Sequence, residues 1–164
     1  VISVDMGPAR LDWREIPVRE ACDTNHMPVG LGPLQDAVGT SMGNPHATFF
    51  VDDLDAIPIL EVGPKLEHDR FFPERANIGV AQLVGENRLR LRVWERGAGL
   101  TLACGSGACA AGVAAARRGL TGRKVDIVME HGTLGIEWLR DGHVMMAGGI
   151  SLAYQGELDR SLLT

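Results

Sequence analysis

The sequence predicts an α+β domain in which a mostly antiparallel, barrel-like curled sheet surrounds a central α-helix. The first observation is a helix-forming segment, residues 106–118, with almost no polar side chain before two terminal arginines. A helix that is apolar all round is a buried helix. The second is a series of short strand-like segments joined by hairpin signals at residues 85–87 and 141–142. At 164 residues, the chain fits one domain, residues 1–164.

The central helix carries signals at both of its ends. Ser106 suits the N-cap position, and residues 108–116 are mostly strong helix formers. Arg117 and Arg118 suit the negative end of the helix dipole, and Gly119 suits the left-handed residue beyond it. The small side chains let other backbone segments approach closely, so we expect the rest of the domain to wrap this helix.

The other elements follow from short-range patterns. Strand-like segments lie at residues 1–6, 37–41, 47–51, 77–84, 88–94, 124–130, 133–139, 143–147 and 150–154. In residues 88–93, arginines alternate with apolar residues, which predicts one wet and one buried face. A second helix is predicted to begin at the aspartates of residues 52–55 and to be disrupted or ended near residues 63–64, with a possible restart to Glu67.

Composition excludes several classes of function. The formal net charge of −5 argues against a nucleic-acid partner. No apolar run is long enough to span a membrane and no signal peptide is visible, so we expect no membrane association. Three cysteines without metal-ligand spacing favour the reducing cytoplasm and no metal site. Residues 1–5 form a strand pattern without an initiating methionine, so we expect the chain to be the later part of a longer polypeptide.

Two cofactor classes are also disfavoured. Gly105, Gly107 and Ala110 loosely match a dinucleotide fingerprint, but the flanking strands are interpreted as hairpins rather than as a βαβ unit. Pyridoxal phosphate enzymes need a lysine beside the site, and neither of the two lysines, Lys65 and Lys124, lies in such a place. We therefore expect no cofactor.

Cys104 is the leading candidate for chemistry. It lies just before the central helix, where free N–H groups and a positive partial charge favour anions and thiolates. We therefore expect a lowered thiol pKa and a role as base or nucleophile. The alternative is a buried structural cysteine, because free cysteine is often a small core residue.

Four other polar residues lie at places where a site could form. Asn44 and His46 stand at the entrance of a buried strand, where polar groups can be held rigidly. Glu95 and Arg96 end another strand just before a glycine-rich bend that leads to Cys104. The alternatives are an ordinary turn asparagine, a hydrogen-bonded buried histidine and a surface ion pair.

Four motifs occur together in a fixed order. They are Gly-Asn-Pro-His at residues 43–46, Phe-Pro-x-x-x-Asn at 72–77, Trp-Glu-Arg-Gly-Ala-Gly at 94–99 and Ala-Cys-Gly-Ser-Gly-Ala-Cys-Ala at 103–110. Together they resemble the diaminopimelate epimerase family, and the resemblance extends over about residues 5–156. The first and last motifs in combination are specific, whereas each alone is weaker.

The resemblance implies a particular architecture. The family has two pseudo-symmetric domains, each a sheet around a central helix, with the site between them. This chain resembles the second, C-terminal domain, so the N-terminal half is absent and the fragment alone is expected to be inactive or nearly so. A homodimer is implied for the full-length protein, with Tyr154 linked to dimerisation. The chain departs from many members at Leu100, which is often Glu, and at Ser106, which is often Thr.

The resemblance also implies an activity. The family is a cofactor-independent isomerase that interconverts LL- and meso-2,6-diaminopimelate for lysine and peptidoglycan precursor biosynthesis. One cysteine thiolate removes the α-proton and a second cysteine thiol donates from the opposite face, Cys104 being one of the two. His46 and Glu95 would tune the pKa values of the thiols. The implied substrate-binding groups are Asn44, Asn77, Glu95, Arg96 and the backbone of Gly105 and Ser106.

Three alternatives remain open at this point. A proline-racemase-like or related isomerase could share the fold and act on another substrate. A cysteine hydrolase could use Cys104 with His46. A non-catalytic domain could bind only a ligand or the partner half.

Overall fold

The small apolar side chains of the central segment form a buried helix, and a sheet curls around it. The computed structural model describes residues 1–163, and within them it has nine strands and two α-helices. The strands are β1 (Ile2–Pro8), β2 (Val38–Ser41), β3 (Pro45–Phe50), β4 (Asn77–Gly85), β5 (Arg88–Glu95), β6 (Gly99–Thr101), β7 (Lys124–Met129), β8 (Gly132–Trp138) and β9 (His143–Gly148). The helices are α1 (Ile59–Glu67) and α2 (Gly105–Arg117), and a 3₁₀ turn follows at Arg160–Leu163.

The strands form one sheet that nearly closes on itself. Their order is β1-β9-β8-β7-β5-β4-β3-β2, with β6 added beside β5. Just after β1, the backbone of Arg10 exchanges two hydrogen bonds of 2.9 Å with Ser41 of β2, which is the opposite end of the sheet. The predicted α+β class, with a curled sheet around a central helix, is confirmed.

Two strand pairs are parallel, which the sequence analysis did not predict. β3 pairs in parallel with β4, and β5 pairs in parallel with β7. Each connection contains a helix, α1 or α2, and a helix-containing crossover returns the chain to the same end of the sheet. The strands that flank α2 do lie in the predicted hairpins, because β6 pairs antiparallel with β5 and β7 pairs antiparallel with β8. The feature that was not predicted is the parallel pairing of β5 with β7, which are separated in the chain by β6 and α2.

Helix α2 lies in the core, as predicted. Its residues from Gly107 to Ala115 are buried, and strand side chains pack directly on its backbone. A Cβ added at Gly112 would stand 2.9 Å from Ile136 Cγ2 and 3.1 Å from Val125 Cγ1. Gly119 takes the predicted left-handed conformation, with φ of 67°. The small residues are thus what allows β7 and β8 to approach the helix.

The β4–β5 hairpin has the predicted buried and wet faces. Leu89 and Val93 are fully buried beneath α2, whereas Arg90 and Arg92 point outward and share the Asp55 carboxylate. Asp55 lies in a turn. Helix α1 begins at Ile59, four residues after the last of the aspartates at which the sequence predicted its start. The helix also continues through Gly63 and Pro64 rather than ending there.

The predicted strand at residues 150–154 was wrong. This segment is irregular and exposed, and Tyr154 is 85% exposed. β9 already has β1 and β8 on its two sides, so the chain that follows it finds no free edge beside it. Neither described α-helix is long and apolar enough to cross a lipid bilayer.

Candidate active site

Cys104 caps the N-terminus of α2. Its backbone is extended, with φ of −145° and ψ of 103°, and its Sγ accepts a hydrogen bond of 3.3 Å from the Gly107 N–H. The residue is only 5% exposed. The predicted N-cap, Ser106, was wrong, because that residue lies inside the first turn and its hydroxyl points to another strand. The sulfur therefore lies at the positive end of a buried helix dipole.

The Ser106 hydroxyl joins the start of α2 to the entrance of β3. Ser106 Oγ lies 3.7 Å from Cys104 Sγ and 3.2 Å from His46 Nε2. It also accepts a hydrogen bond of 3.3 Å from Asn44 Nδ2. His46 Nε2 lies 3.0 Å from Asn44 Oδ1. Four residues that the sequence singled out, about 60 positions apart in the chain, thus form one polar cluster.

The bend after β5 is attached to the same cluster. The Asn77 amide donates to Pro45 O at 2.9 Å and accepts from the Arg96 N–H at 2.8 Å. Asn77 therefore ties the bend to the residue between Asn44 and His46. The Glu95 carboxylate accepts a hydrogen bond from the Thr101 hydroxyl of β6. The sequence analysis did not identify Thr101 as a partner of Glu95, because in the sequence it is an ordinary residue of a glycine-rich bend.

Burial and a neighbouring carboxylate oppose ionisation of Cys104. Burial has the largest effect and raises the pKa of the thiol, whereas hydrogen bonds from Ser106 and Gly107 lower it, and the charge of Glu95 raises it further. The net result is a raised pKa, so the lowered pKa expected from the helix dipole was wrong. The physical reason is that desolvation and Glu95 together outweigh the two donors.

His46 is held in its neutral form. The side chain is buried, and this burial, followed by the positive charge of Arg96, lowers its pKa to about 3. A neutral imidazole can donate from one ring nitrogen and accept at the other. His46 therefore acts in this cluster as a hydrogen-bonding group without charge.

The buried neutral His46 should make folding stability depend on pH. Above pH 7 the imidazole is neutral in both states, but as the pH falls through 6.5 only the unfolded chain binds a proton there. Stability should therefore fall by about 2 kcal/mol between about pH 7.5 and pH 5, and continue falling towards pH 3. Urea denaturation at several pH values measures this. The loss should shrink in His46→Gln but not in the exposed control His131→Gln, and an equal loss in both would contradict it.

The start of α2 also presents backbone donors. The first intrahelical bond runs from Ala108 N to Cys104 O, so the N–H groups of Gly105 and Ser106 precede the helical ladder. Such groups at a helix N-terminus can bind a carboxylate. The Arg96 guanidinium donates to Glu74 O at 3.0 Å. Tyr154, in the exposed tail, lies in a segment separate from the cluster.

Comparison with known proteins agrees with the motifs at this cluster. A sequence model of the diaminopimelate epimerase family matches residues 38–153, which include β2 through β9 and every cluster residue. The chain belongs to the diaminopimelate epimerase family. It is 58% identical over 163 residues to a diaminopimelate epimerase of Acidiphilium cryptum (strain JF-5), covering 99% of this chain and 59% of that protein.

Other family members extend the comparison. The chain is 58% identical over 162 residues to a diaminopimelate epimerase of Rhodospirillum centenum (strain ATCC 51521 / SW), covering 99% of this chain and 56% of that protein. It therefore spans little more than half the length of these relatives. The solved structure of a predicted epimerase from Pseudomonas aeruginosa superposes with a TM-score of 0.56 at 19% identity, over 95% of this chain and 57% of that one. At this identity the likeness concerns the fold alone.

Proposed function

We propose that this chain is the C-terminal half of a diaminopimelate epimerase and supplies one of its two acid–base thiols. The observation that carries the proposal is the Cys104 thiol, held at the start of a buried helix beside Ser106, His46, Asn44 and Glu95. The family membership and the length of the relatives support the existence of an N-terminal half. The proposed substrate is 2,6-diaminopimelate, and no cofactor is required.

The reaction needs stabilisation of a carbanion. Without a pyridoxal electron sink, negative charge develops on the α-carbon and spreads into the α-carboxylate as the C–H bond breaks. The N–H groups of Gly105 and Ser106, which precede the helical ladder at the positive end of α2, would bind that carboxylate. They are fixed by the helix before the substrate arrives, so they need little reorganisation during the reaction.

The raised pKa gives Cys104 a definite resting role. At neutral pH its protonated form predominates, because burial and Glu95 disfavour the thiolate. In that state the S–H bond of Cys104 breaks to protonate the α-carbon. Meanwhile, the thiolate of the N-terminal half takes the α-proton from the opposite face. In the reverse direction the resulting Cys104 thiolate is the base, so protons and charges balance over each inversion.

The remaining site residues fit roles in binding. Arg96 would exchange its Glu74 carbonyl partner for a substrate carboxylate, which its forked donors suit. Asn44 and Asn77 would bind or orient polar groups of the substrate, together with Glu95. Glu95 and His46 would also set the proton affinity of the thiol. We further propose a cytoplasmic homodimer of the full-length enzyme, with Tyr154 at the subunit interface.

A substrate panel tests this proposal. We would measure α-proton exchange in heavy water, by mass spectrometry, on diaminopimelate, lysine and proline with both halves present. The proposal predicts exchange on diaminopimelate and much slower exchange on the other two. Faster exchange on proline would indicate a related isomerase, and a trapped acyl-enzyme would indicate a hydrolase. Binding of diaminopimelate without exchange would indicate a non-catalytic domain.

The hydrolase alternative also has a geometric difficulty. A cysteine hydrolase needs its histidine within hydrogen-bonding reach of the thiol. Here Ser106 Oγ contacts both groups, at 3.7 Å from Cys104 Sγ and 3.2 Å from His46 Nε2. The imidazole nitrogen Nε2 is directed at Ser106 and Asn44, so the structure favours the epimerase proposal.

A further inference from the structure

A buried carboxylate, Glu67 at the end of α1, lies outside the cluster described above. Glu67 is only 3% exposed, and three donors from two other segments surround it. Its oxygens accept hydrogen bonds from Trp94 Nε1 at 2.7 Å, from the Gly97 N–H at 2.9 Å and from Arg75 Nη1 at 3.3 Å. Acidic side chains are almost never this buried unless they are paired, and both oxygens of Glu67 are paired by these three donors.

The hydrogen bonds keep Glu67 ionised. Burial opposes its ionisation, but the bonds from Trp94 and Gly97 and the charges of His68 and Arg75 outweigh it, so the pKa of Glu67 is lowered. All three direct partners are donors, and an ionised carboxylate is an acceptor at both oxygens. An amide of the same shape would turn one N–H towards a donor. The pocket therefore requires a carboxylate.

The segment that Glu67 holds carries two residues of the proposed site. Trp94 precedes Glu95 and Gly97 follows Arg96 in the chain. The Glu67 carboxylate accepts a hydrogen bond from each of these two flanking residues. On the other side, Glu67 binds Arg75, which adjoins Glu74, and Glu74 O accepts from the Arg96 guanidinium. The turn at residues 74–75 and the bend at residues 94–97, which meet around Arg96, are thus both anchored to one carboxylate.

We propose that Glu67 is a positioning residue that fixes the bend at residues 94–97, so that Glu95 faces Cys104 and Arg96 faces the substrate. The part that concerns Arg96 rests on the proposed function. The part that concerns Glu95 does not, because it can be tested on the thiol alone. Without the carboxylate, the bend loses the partner of both of its ends, and the Glu95 carboxylate moves away from the sulfur.

The thiol of Cys104 reports directly on the position of Glu95. We would measure alkylation of Cys104 by iodoacetamide against pH in this chain, with peptide mass spectrometry to separate it from the other cysteines. The titratable or charged groups in and beside the cluster are Glu95 of β5, Arg96, His46 of β3 and Cys109 of α2. Of these, Glu95 adds negative charge beside the sulfur.

Removing the anchor should therefore shift the alkylation profile. In Glu67→Gln the alkylation midpoint should fall by at least about half a pH unit, because the negative Glu95 carboxylate has moved away from the Cys104 sulfur. Glu95→Gln should give a similar shift, and the double variant should add little to it. Glu61→Gln is the matched control, since Glu61 is an exposed residue of the same helix. A folded Glu67→Gln with the midpoint of Glu61→Gln overturns the proposal.

Two further arms keep the test decisive. If circular dichroism shows that Glu67→Gln is unfolded, Trp94→Phe replaces it, because it removes one donor to Glu67 and retains an aromatic ring. A lowered midpoint in Trp94→Phe supports the proposal, and an unchanged one overturns it.

In the assembled enzyme, Glu67→Gln should raise KM for diaminopimelate about tenfold through Arg96. Glu67→Gln could shift the alkylation midpoint while the wild-type protein with both halves present shows no exchange on diaminopimelate. That result would overturn the epimerase function and support the role of Glu67.

Discussion

Replacing Cys104 by alanine should lower the α-proton exchange rate on diaminopimelate by about 10²–10⁴-fold in the protein with both halves present, the usual contribution of a general acid or base. The thiol lies at the start of α2, where the N–H groups of Gly105 and Ser106 would hold the α-carboxylate beside it. Alanine leaves those donors in place and removes the proton carrier, together with the hydrogen bond of 3.3 Å that Sγ accepts from the Gly107 N–H. The measurement is deuterium incorporation by mass spectrometry, together with a thermal denaturation curve.

Cys109→Ala is the matched control for this result. Cys109 lies further along the same helix, is fully buried, and its pKa is raised to about 12 by burial and by Cys104. It therefore remains a protonated core residue. Its replacement should cost roughly 1 kcal/mol of stability and leave exchange within about threefold of the wild type. Exchange that persists in Cys104→Ala, or is lost in a folded Cys109→Ala, would contradict the assignment.

Gly107→Ala should produce the second large effect. A Cβ at this position would stand 2.9 Å from Val93 Cγ2 and 3.0 Å from Cys104 Sγ, which is closer than packed atoms tolerate. The higher helix propensity of alanine, worth about 1 kcal/mol, offsets only part of the strain. We expect a net loss of about 1–3 kcal/mol in the free energy of unfolding. We also expect exchange to fall by about 10²-fold, because the sulfur must move.

Gly112→Ala separates these two consequences. Its Cβ would stand 2.9 Å from Ile136 Cγ2, a similar clash on the same helix, but away from the thiol. Both variants should lose comparable stability in urea denaturation. Only Gly107→Ala should lose exchange when both are assayed well below their thermal midpoints. Equal exchange in the two folded variants would show that the position of the thiol does not depend on Gly107.

The elements that could be predicted are those coded by short-range pattern. The run of small apolar residues from Gly107 to Ala115 predicts a buried helix by itself, and the alternation around Leu89 predicts the two faces of β5. The parallel pairing of β5 with β7 could not be predicted, because the pairing depends on where the crossover returns the chain. The strand predicted at residues 150–154 does not form, because β9, which it follows in the chain, already pairs with β1 on one side and β8 on the other.

In the site, too, short-range patterns predicted some features, and others depend on contacts between distant segments. The motifs name Asn44, His46 and Cys104, and the structure brings them together around Ser106. The direction of the Cys104 pKa shift could not be predicted from its place at a helix N-terminus, because burial, followed by the charge of the Glu95 carboxylate from another element, raises the pKa. Glu67 was also missed. In the sequence it is one glutamate near a helix end, and its three donors lie 8 to 30 residues away.

The proposed function requires that this chain hold one half of a two-thiol site. The most direct test is α-proton exchange on diaminopimelate in heavy water, first with this chain alone and then with the N-terminal half supplied. We predict no exchange above background from the chain alone, and Cys104-dependent exchange once both halves are present. Efficient exchange by the purified chain alone, or its absence from a folded and assembled pair, would contradict the claim.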